Sequence, residues 1–295
     1  MDDAVVSPAA SAPAARRGAR ASLLGVVPLS LVFLVMILVP LVLVVDLSFR
    51  QFDYAKGIQP GFTLEHFALI VRDSYFLEIF WRTLWFSALT TLICVAIGLP
   101  QAYILTRMTP RWRSIFLLVV LSPLLVSTVV RAFGWSLLLG PNGPVGIAAA
   151  AVGIDQLLYT PTSVIIGLVH VMLPFMIIPV WTSLQKLDPS VEHAAYSLGA
   201  SRPLALWRVI LPQAMPGVLS GSLIVFGLTA SAFATPALLG GRRLKVVSTL
   251  VYDEILSELN WPLGAAIAIF LLLANVAIML SYNRVVERSY KRSLG

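Results

Sequence analysis

Between residues 21 and 283 the chain carries long runs that contain no Asp, Glu, Lys or Arg: 21–45, 83–106, 114–130, 132–154, 156–185, 209–241 and 259–283. A bilayer core of ~30 Å is crossed by ~20 apolar residues in helix, so these runs are the natural units of a membrane fold. The composition agrees: 58% of residues are hydrophobic and only 12% charged, which excludes an ordinary water-soluble domain. The run 132–154 holds Gly134, Gly140, Pro141, Gly143, Pro144, Gly146 and Gly153, which favour turns, so it reads as the end of a third span followed by an external loop. The expectation is an all-α integral membrane protein with six spans, roughly 23–45, 83–106, 114–139, 161–184, 214–238 and 262–282.

An even number of spans places both termini on one side. Of the 21 Lys and Arg residues, 13 fall in the tail, the two even-numbered loops and the C-terminal end, against 5 acidic residues; the opposite segments hold the other 8 with 9 acids. By the positive-inside rule both termini are cytoplasmic, and the formal charge of +7 is a topology signal, with no nucleic-acid footprint. Residues 1–22 read as a disordered cytoplasmic tail, 23–284 as the six-helix domain and 285–295 as a basic cytoplasmic tail. The charge-free run 21–45 exceeds a signal-peptide core and no A-x-A site closes it, so the first helix is expected to stay uncleaved.

Catalytic and metal-binding patterns are missing. No G-x-x-x-x-G-K-[ST], H-E-x-x-H or G-x-S-x-G occurs. His66, His170 and His193 have no further ligand at metal-binding spacing, and the single Cys94 rules out an internal disulfide and a cysteine zinc cluster. Neither a cofactor nor a metal is expected on this chain.

One polar segment is built to fold. In 186–212, Asp188 suits the cap of a helix opening at Pro189, with Val191, Ala194, Ala195 and Leu198 at helical spacing. Gly199 stops that helix, and Ser201 can cap a second one containing Leu204, Leu206, Trp207 and Val209 before Pro212. Two short helices at a Gly-Ala-Ser elbow are either an interfacial hairpin lying on lipid or a docking knob for another protein. The small residues Ala194, Ala195, Gly199 and Ala200 suit close approach by a partner.

This segment resembles the EAA motif of permease subunits of bacterial type I ABC importers, E-A-A-x-x-x-G-x9-I-x-L-P. His193-Ala194-Ala195, Gly199 and Val209-Ile210-Leu211-Pro212 keep its spacing. His193 stands at the usual glutamate, with Glu192 one residue earlier, so either can replace the motif acid. Several stretches are similar to the spermidine/putrescine-type branch: SPLLVSTVVRAFGW at 122–135, the segment 160–188, FATPALLGG at 233–241 and NWPLGAAIA at 260–268. The resemblance implies the type I importer permease (MetI-like) fold in the bacterial inner membrane. It also implies a coupling loop from Asp188 through Glu192, His193, Ala200 and Ser201 to Val209, Leu211 and Pro212. The implied partners are a cytoplasmic ABC ATPase dimer, which uses ATP and Mg, a second permease subunit and an extracytoplasmic solute-binding protein, with the lipid bilayer around them. The implied solute is a polyamine or a small amine-bearing compound. Opines, aminophosphonates, thiamine and ferric iron are the other solutes of similar relatives, and a self-contained carrier or channel is the rival from another class.

Polar groups within the spans have two readings each. Arg131 is either an anchor near the outer surface or part of an outer gate, and Trp135 either an interfacial aromatic or a solute contact. His170 and Gln101 either bond a neighbouring helix or meet solute. Phe226, Thr229, Ser231, Phe233 and Thr235 are the candidates for lining the path, on the strength of the resemblance. Gly217 and Gly221 form a G-x-x-x-G, a close-packing pattern. No span has a central carboxylate, which argues against a high-affinity polyamine site within the helices of this subunit.

Overall fold

A chain inside hydrocarbon must satisfy its own backbone, and helix does so within one segment. The computed structural model describes residues 15–186 and 188–293. In chain order it contains α1 (Ala15–Ser48), strands β1 (Arg50–Asp53) and β2 (Gly57–Phe62), α2 (Glu65–Arg72), α3 (Ser74–Arg107), α4 (Pro110–Leu125), α5 (Thr128–Leu139), α6 (Pro144–Ala151) and α7 (Pro161–Gln185). There follow α8 (Pro189–Ser197), α9 (Arg202–Ala205), a π-helical turn (Leu206–Ile210), α10 (Leu211–Ala230), α11 (Ala234–Leu239), α12 (Val247–Tyr252), a second π-helical turn (Asp253–Ser257) and α13 (Trp261–Ser293).

Among the described residues, five helical stretches are long and apolar enough to cross a bilayer: Ser30–Ser48, Ser74–Arg107, Pro161–Gln185, Leu206–Ala230 and Trp261–Tyr282. The sixth is broken. Where the sequence reads as one span over 114–139, α4 ends at Leu125 and the chain resumes from Thr128 bent by 98°. Pro123 lies inside the last turn of α4, and the Arg131 guanidinium donates to the Pro123 carbonyl and to Thr128 Oγ1. The one charge of this apolar stretch therefore serves a carbonyl at the break, which hydrocarbon would leave unpaired. The glycine-rich segment after it also differs from the expected loop, since Pro144 opens the short helix α6.

Two further differences concern the ends and the first loop. Residues 1–14 of the expected tail lie outside the described residues, and 15–22 form the first turns of α1. A small antiparallel hairpin follows α1, pairing Phe52 with Ile58 and Asp53 with Gly57. The Asp53 carboxylate accepts the amides of Ala55 and Lys56 at 2.9 Å, and Gly57 takes φ +75°, so the turn is fixed locally. Phe49 then stacks on Phe62 with ring centroids 4.9 Å apart.

The core lies where α3, α7 and α10 meet. Cys94, Leu105, Met176, Ile177, Val180 and Val225 are wholly or almost wholly buried there. α7 is set by a reciprocal cap between Thr160 and Ser163, with Pro161 at the first helical position. The α7–α10 approach depends on the glycine pair: a Cβ on Gly217 would lie 2.5 Å from the Pro179 carbonyl oxygen, and one on Gly221 2.9 Å from Met176 Sδ. By contrast α4 has no fully buried side chain, only Phe116, Leu117 and Val120 leaning on the core, and Leu31 to Leu43 of α1 are largely exposed, which fits surfaces solvated by lipid.

Gly217→Ala is expected to force α7 and α10 apart at a cost of ~1–3 kcal/mol, as overpacking of a close contact does. Thermal unfolding in detergent should show a clearly lowered midpoint; an unchanged midpoint would mean the contact is looser than 2.5 Å implies.

Candidate functional site

The segment from Asp188 to Pro212 folds as two short helices with a defined elbow. Asp188 accepts the Ser190 amide at 2.9 Å, and that bond holds its carboxyl below the usual carboxylate range. At the far end of α8 the Gly199 amide bonds the Tyr196 carbonyl at 2.9 Å and the Ala200 amide bonds the Ala195 carbonyl at 3.0 Å. This is a Schellman closure, and it needs the left-handed φ of +82° that Gly199 supplies. Nothing lies within 4 Å of a Cβ built on Gly199, so that side of the elbow is open. Ser201 is exposed, and its carbonyl accepts the Ala205 amide at 2.9 Å as α9 begins.

Past α9 the backbone widens. Pro212 has no N–H to return to the preceding turn, and just before it the Leu211 amide reaches the Leu206 carbonyl in a π-type bond. Val209 and Leu211 are half-buried in this stretch, Pro212 is exposed, and Ile210 is buried against the α3/α7/α10 core. The Ser183 hydroxyl of α7 donates to the Gln213 carbonyl at 3.0 Å, which ties the two ends of the loop together.

The orientation of α8 is the reverse of what its apolar spacing alone suggests. Its inward face is polar: Glu192 is 7% exposed, bonded by the Arg107 guanidinium of α3 and by the Tyr196 hydroxyl at 2.7 Å. Burial pushes the Glu192 carboxyl up, but the bonds from Tyr196 and Arg107 outweigh it and hold the group below the usual range; the same bond raises Tyr196. Arg107 is steadied by its own helix, donating to Tyr103 Oη at 3.1 Å with the ring centroid 5.1 Å from its guanidinium carbon. Beside the pair lies an open cleft of ≈ 510 Å³ bordered by Tyr103, Trp181 and Gln185. The outward face carries His193, Ala194, Val191 at 42% and Leu198 at 89% exposure, and Trp207 is 68% exposed nearby. Ala195 and Ala200 are half-buried between the two.

The remaining candidates fall into two places. Trp135 and His170, 35 residues apart, meet through an indole N–H donated to His170 Nδ1 at 3.1 Å. Because indole only donates, His170 there is the tautomer with its proton on Nε2. Ser231 returns its hydroxyl to the Gly227 carbonyl at 3.0 Å and Thr235 is 4% exposed, packed by its methyl close to Gly167. Thr229 is also 4% exposed, while Phe226 is half-buried. Phe233 pairs with Tyr252 at 5.0 Å and walls a cavity of ≈ 250 Å³ with Lys245, Asp253 and Glu258. Lys245 Nζ lies 2.7 Å from Asp253 Oδ2, and that bond raises the ammonium's pKa; burial first, then Glu258, raises the adjacent Glu254. These carboxylates are not in any span, so a scan of the spans for acids passes over them. Arg107 was equally hidden, being one more basic residue at the end of a span; the Glu192–Tyr196 spacing of four was the available signal.

Residues 95–291 match the family described as binding-protein-dependent transport system inner membrane component. The chain is 32% identical over 84% of its length to the Spermidine/putrescine transport system permease protein PotB of Haemophilus influenzae, covering 88% of that protein. To the protein of the same description from Escherichia coli K12 it is 29% identical over 84% of its length and 91% of the relative. It is also 31% identical, over 65% of its length and 72% of the relative, to the Molybdenum transport system permease protein ModB of Mycobacterium bovis. In three dimensions it superposes on a chain of the crystal structure of a bacterial ABC transporter involved in the import of the acidic polysaccharide alginate. The TM-score is 0.76 at 21% identity, covering 92% of this chain and 98% of that one. A chain of the inward-facing MetNI methionine ABC transporter gives a TM-score of 0.57 at 18% identity, over 77% of this chain and 98% of that one.

The two neighbours on α8 should behave differently when truncated. Glu192→Ala leaves Arg107 without its carboxylate and is expected to lower the thermal midpoint, whereas His193→Ala, on the exposed face, should stay within ~0.5 kcal/mol of the parent. Equal midpoints for the two variants would contradict the inward placement of Glu192.

Proposed function

The chain belongs to the family of binding-protein-dependent transport system inner membrane components, and from that premise we propose that it carries a polyamine across the membrane, with α8 as the element moved by an ATPase. It is a multi-pass permease subunit of an ABC importer in the inner membrane, and ATP hydrolysis belongs to a separate subunit. A self-contained carrier or channel is thereby set aside.

The observation that carries the coupling reading is the outward presentation of His193, Val191 and Leu198 on a helix whose other face is bound down to α3. An apolar face lifted away from its own protein, at a capped and rigid elbow, fits a cleft on a partner. The partners are a cytoplasmic ATPase dimer that uses ATP and Mg, a second permease and an extracytoplasmic solute-binding protein. On this reading both ends of the chain and the α8 loop lie on the cytoplasmic side, which the distribution of Lys and Arg supports. ATP binding moves the clefts, and the loop carries the bundle between inward-open and outward-open states.

Spermidine or putrescine as solute rests on the relatives' names over 84% of the chain. In the cavity walled by Phe233 and Tyr252 the ring faces and the Glu258 carboxylate suit an ammonium group, while Asp253 is already matched by Lys245.

Purified in mild detergent from its native host, the tagged chain should bring down an ATPase and a second permease; recovery of the chain alone, beside ABC complexes that survive the same detergent, would contradict the reading. The complex with its binding protein, reconstituted in liposomes, should import labelled spermidine or putrescine. Import of an opine, an aminophosphonate, thiamine or ferric iron in place of either would overturn the solute. Gly199→Trp should abolish most uptake while the chain still inserts, and Gly199→Ala should be milder, because only the left-handed strain of ~1–2 kcal/mol is added there.

A further inference from the structure

We propose that Arg107 is a positioning residue for transport: its ion pair with Glu192 fixes the coupling helix α8 to the end of α3, so that displacement of the loop reaches the bundle directly. The proposal rests on the coupling-loop reading of α8. The loop is already held at its ends, by α7 before it and by the π turn leading into α10 after it, and the backbone of α8 packs on α9 and that turn. Held only there, the two short helices would hinge at the Gly199 elbow, and part of any push would be absorbed as bending. The Arg107–Glu192 pair adds a third attachment, to a helix 85 residues away in sequence.

Three features make this a designed attachment rather than a passing surface contact. The Glu192 side chain is only 10% exposed, so its charge depends on the partner, while Arg107 at 51% exposure reaches in from outside. Both carboxylate oxygens are used, one by Arg107 and the other by Tyr196 from one turn along α8. Arg107 is in turn aimed by Tyr103, one turn back along α3. The chain Tyr103–Arg107–Glu192–Tyr196 thus links two helices through Arg107 and Glu192, each held by two partners, and α3 is one of the three helices of the core. A consequence for recognition follows: the carboxylate of this loop faces its own subunit, and His193 is what α8 offers to the ATPase at the motif position.

The test uses the reconstituted complex with its binding protein and reads two numbers, solute imported and ATP hydrolysed. Arg107→Ala and Glu192→Arg should each lower the solute imported per ATP by about tenfold, with the ATPase still copurifying in normal amount. The double variant Arg107→Glu with Glu192→Arg should recover a large part of that ratio, and Arg107→Lys should fall between, because a point charge replaces a planar fork. If Arg107→Ala does not insert, Arg107→Lys and the charge swap decide. An unchanged ratio in the single variants, or a swap as poor as the worse single variant, overturns the role of Arg107. A parent chain that recovers no ATPase overturns the coupling-loop reading, and this proposal with it.

Discussion

Every main-chain N–H and C=O within hydrocarbon has to find its partner inside the protein, and the architecture of this chain follows from how that requirement is met. Where α3, α7 and α10 run as continuous helix they meet most of it within each segment, with Pro100, Pro174, Pro179 and Pro216 as the exceptions, and they pack closely, Gly217 and Gly221 bringing α10 onto the backbone of α7. At the break after α4, Arg131 serves the Pro123 carbonyl. Ahead of Pro212 a π turn absorbs the missing donor, just where the segment 188–212 joins α10. The bend after α4 thus carries its own side-chain donor, and the π turns stand at the loop junction ahead of Pro212 and before α13.

The same economy of polar groups shapes α8. A short helix with both Glu192 and an apolar stripe is expected to hide the stripe and hydrate the acid. Here Arg107 and Tyr196 make the acid the better group to bury, and Val191 and Leu198 stay outside. A loop arranged in this way has an anchored face and an exposed face, which fits the proposed transmission of motion between an ATPase and a membrane bundle.

The apolar runs made the spanning helices legible, because charge-free length is a direct consequence of lipid as solvent. Asp188, Pro189 and Gly199 likewise marked the start and stop of α8, since caps and left-handed residues act locally. The bend at 126–127 was not legible: Pro123 is tolerated inside many membrane helices, and only the three-dimensional reach of Arg131 to its carbonyl shows that the helix stops. The hairpin of β1 and β2 lies in a polar stretch too short to show a period, fixed by one Asp53 turn and the Phe49–Phe62 stack. The choice between Glu192 and His193 was undecidable from spacing, because adjacent residues differ by one step around the helix and the deciding partner, Arg107, comes from another span. For Arg131, Trp135 and His170 sequence offered two roles apiece; the structure joins the last two to each other and the first to the helix break.

α8 turns Glu192 toward its own bundle and leaves His193 exposed, the side proposed to meet the ATPase. A photo-crosslinking amino acid placed at 193, and separately at 192, in the assembled complex in native membranes measures this directly. Crosslinks to the ATPase from position 193, with position 192 reacting within the permease chain, are the expected result. Capture of the ATPase from 192 and not from 193 would contradict the orientation of α8, and with it the route by which the loop is held to the bundle.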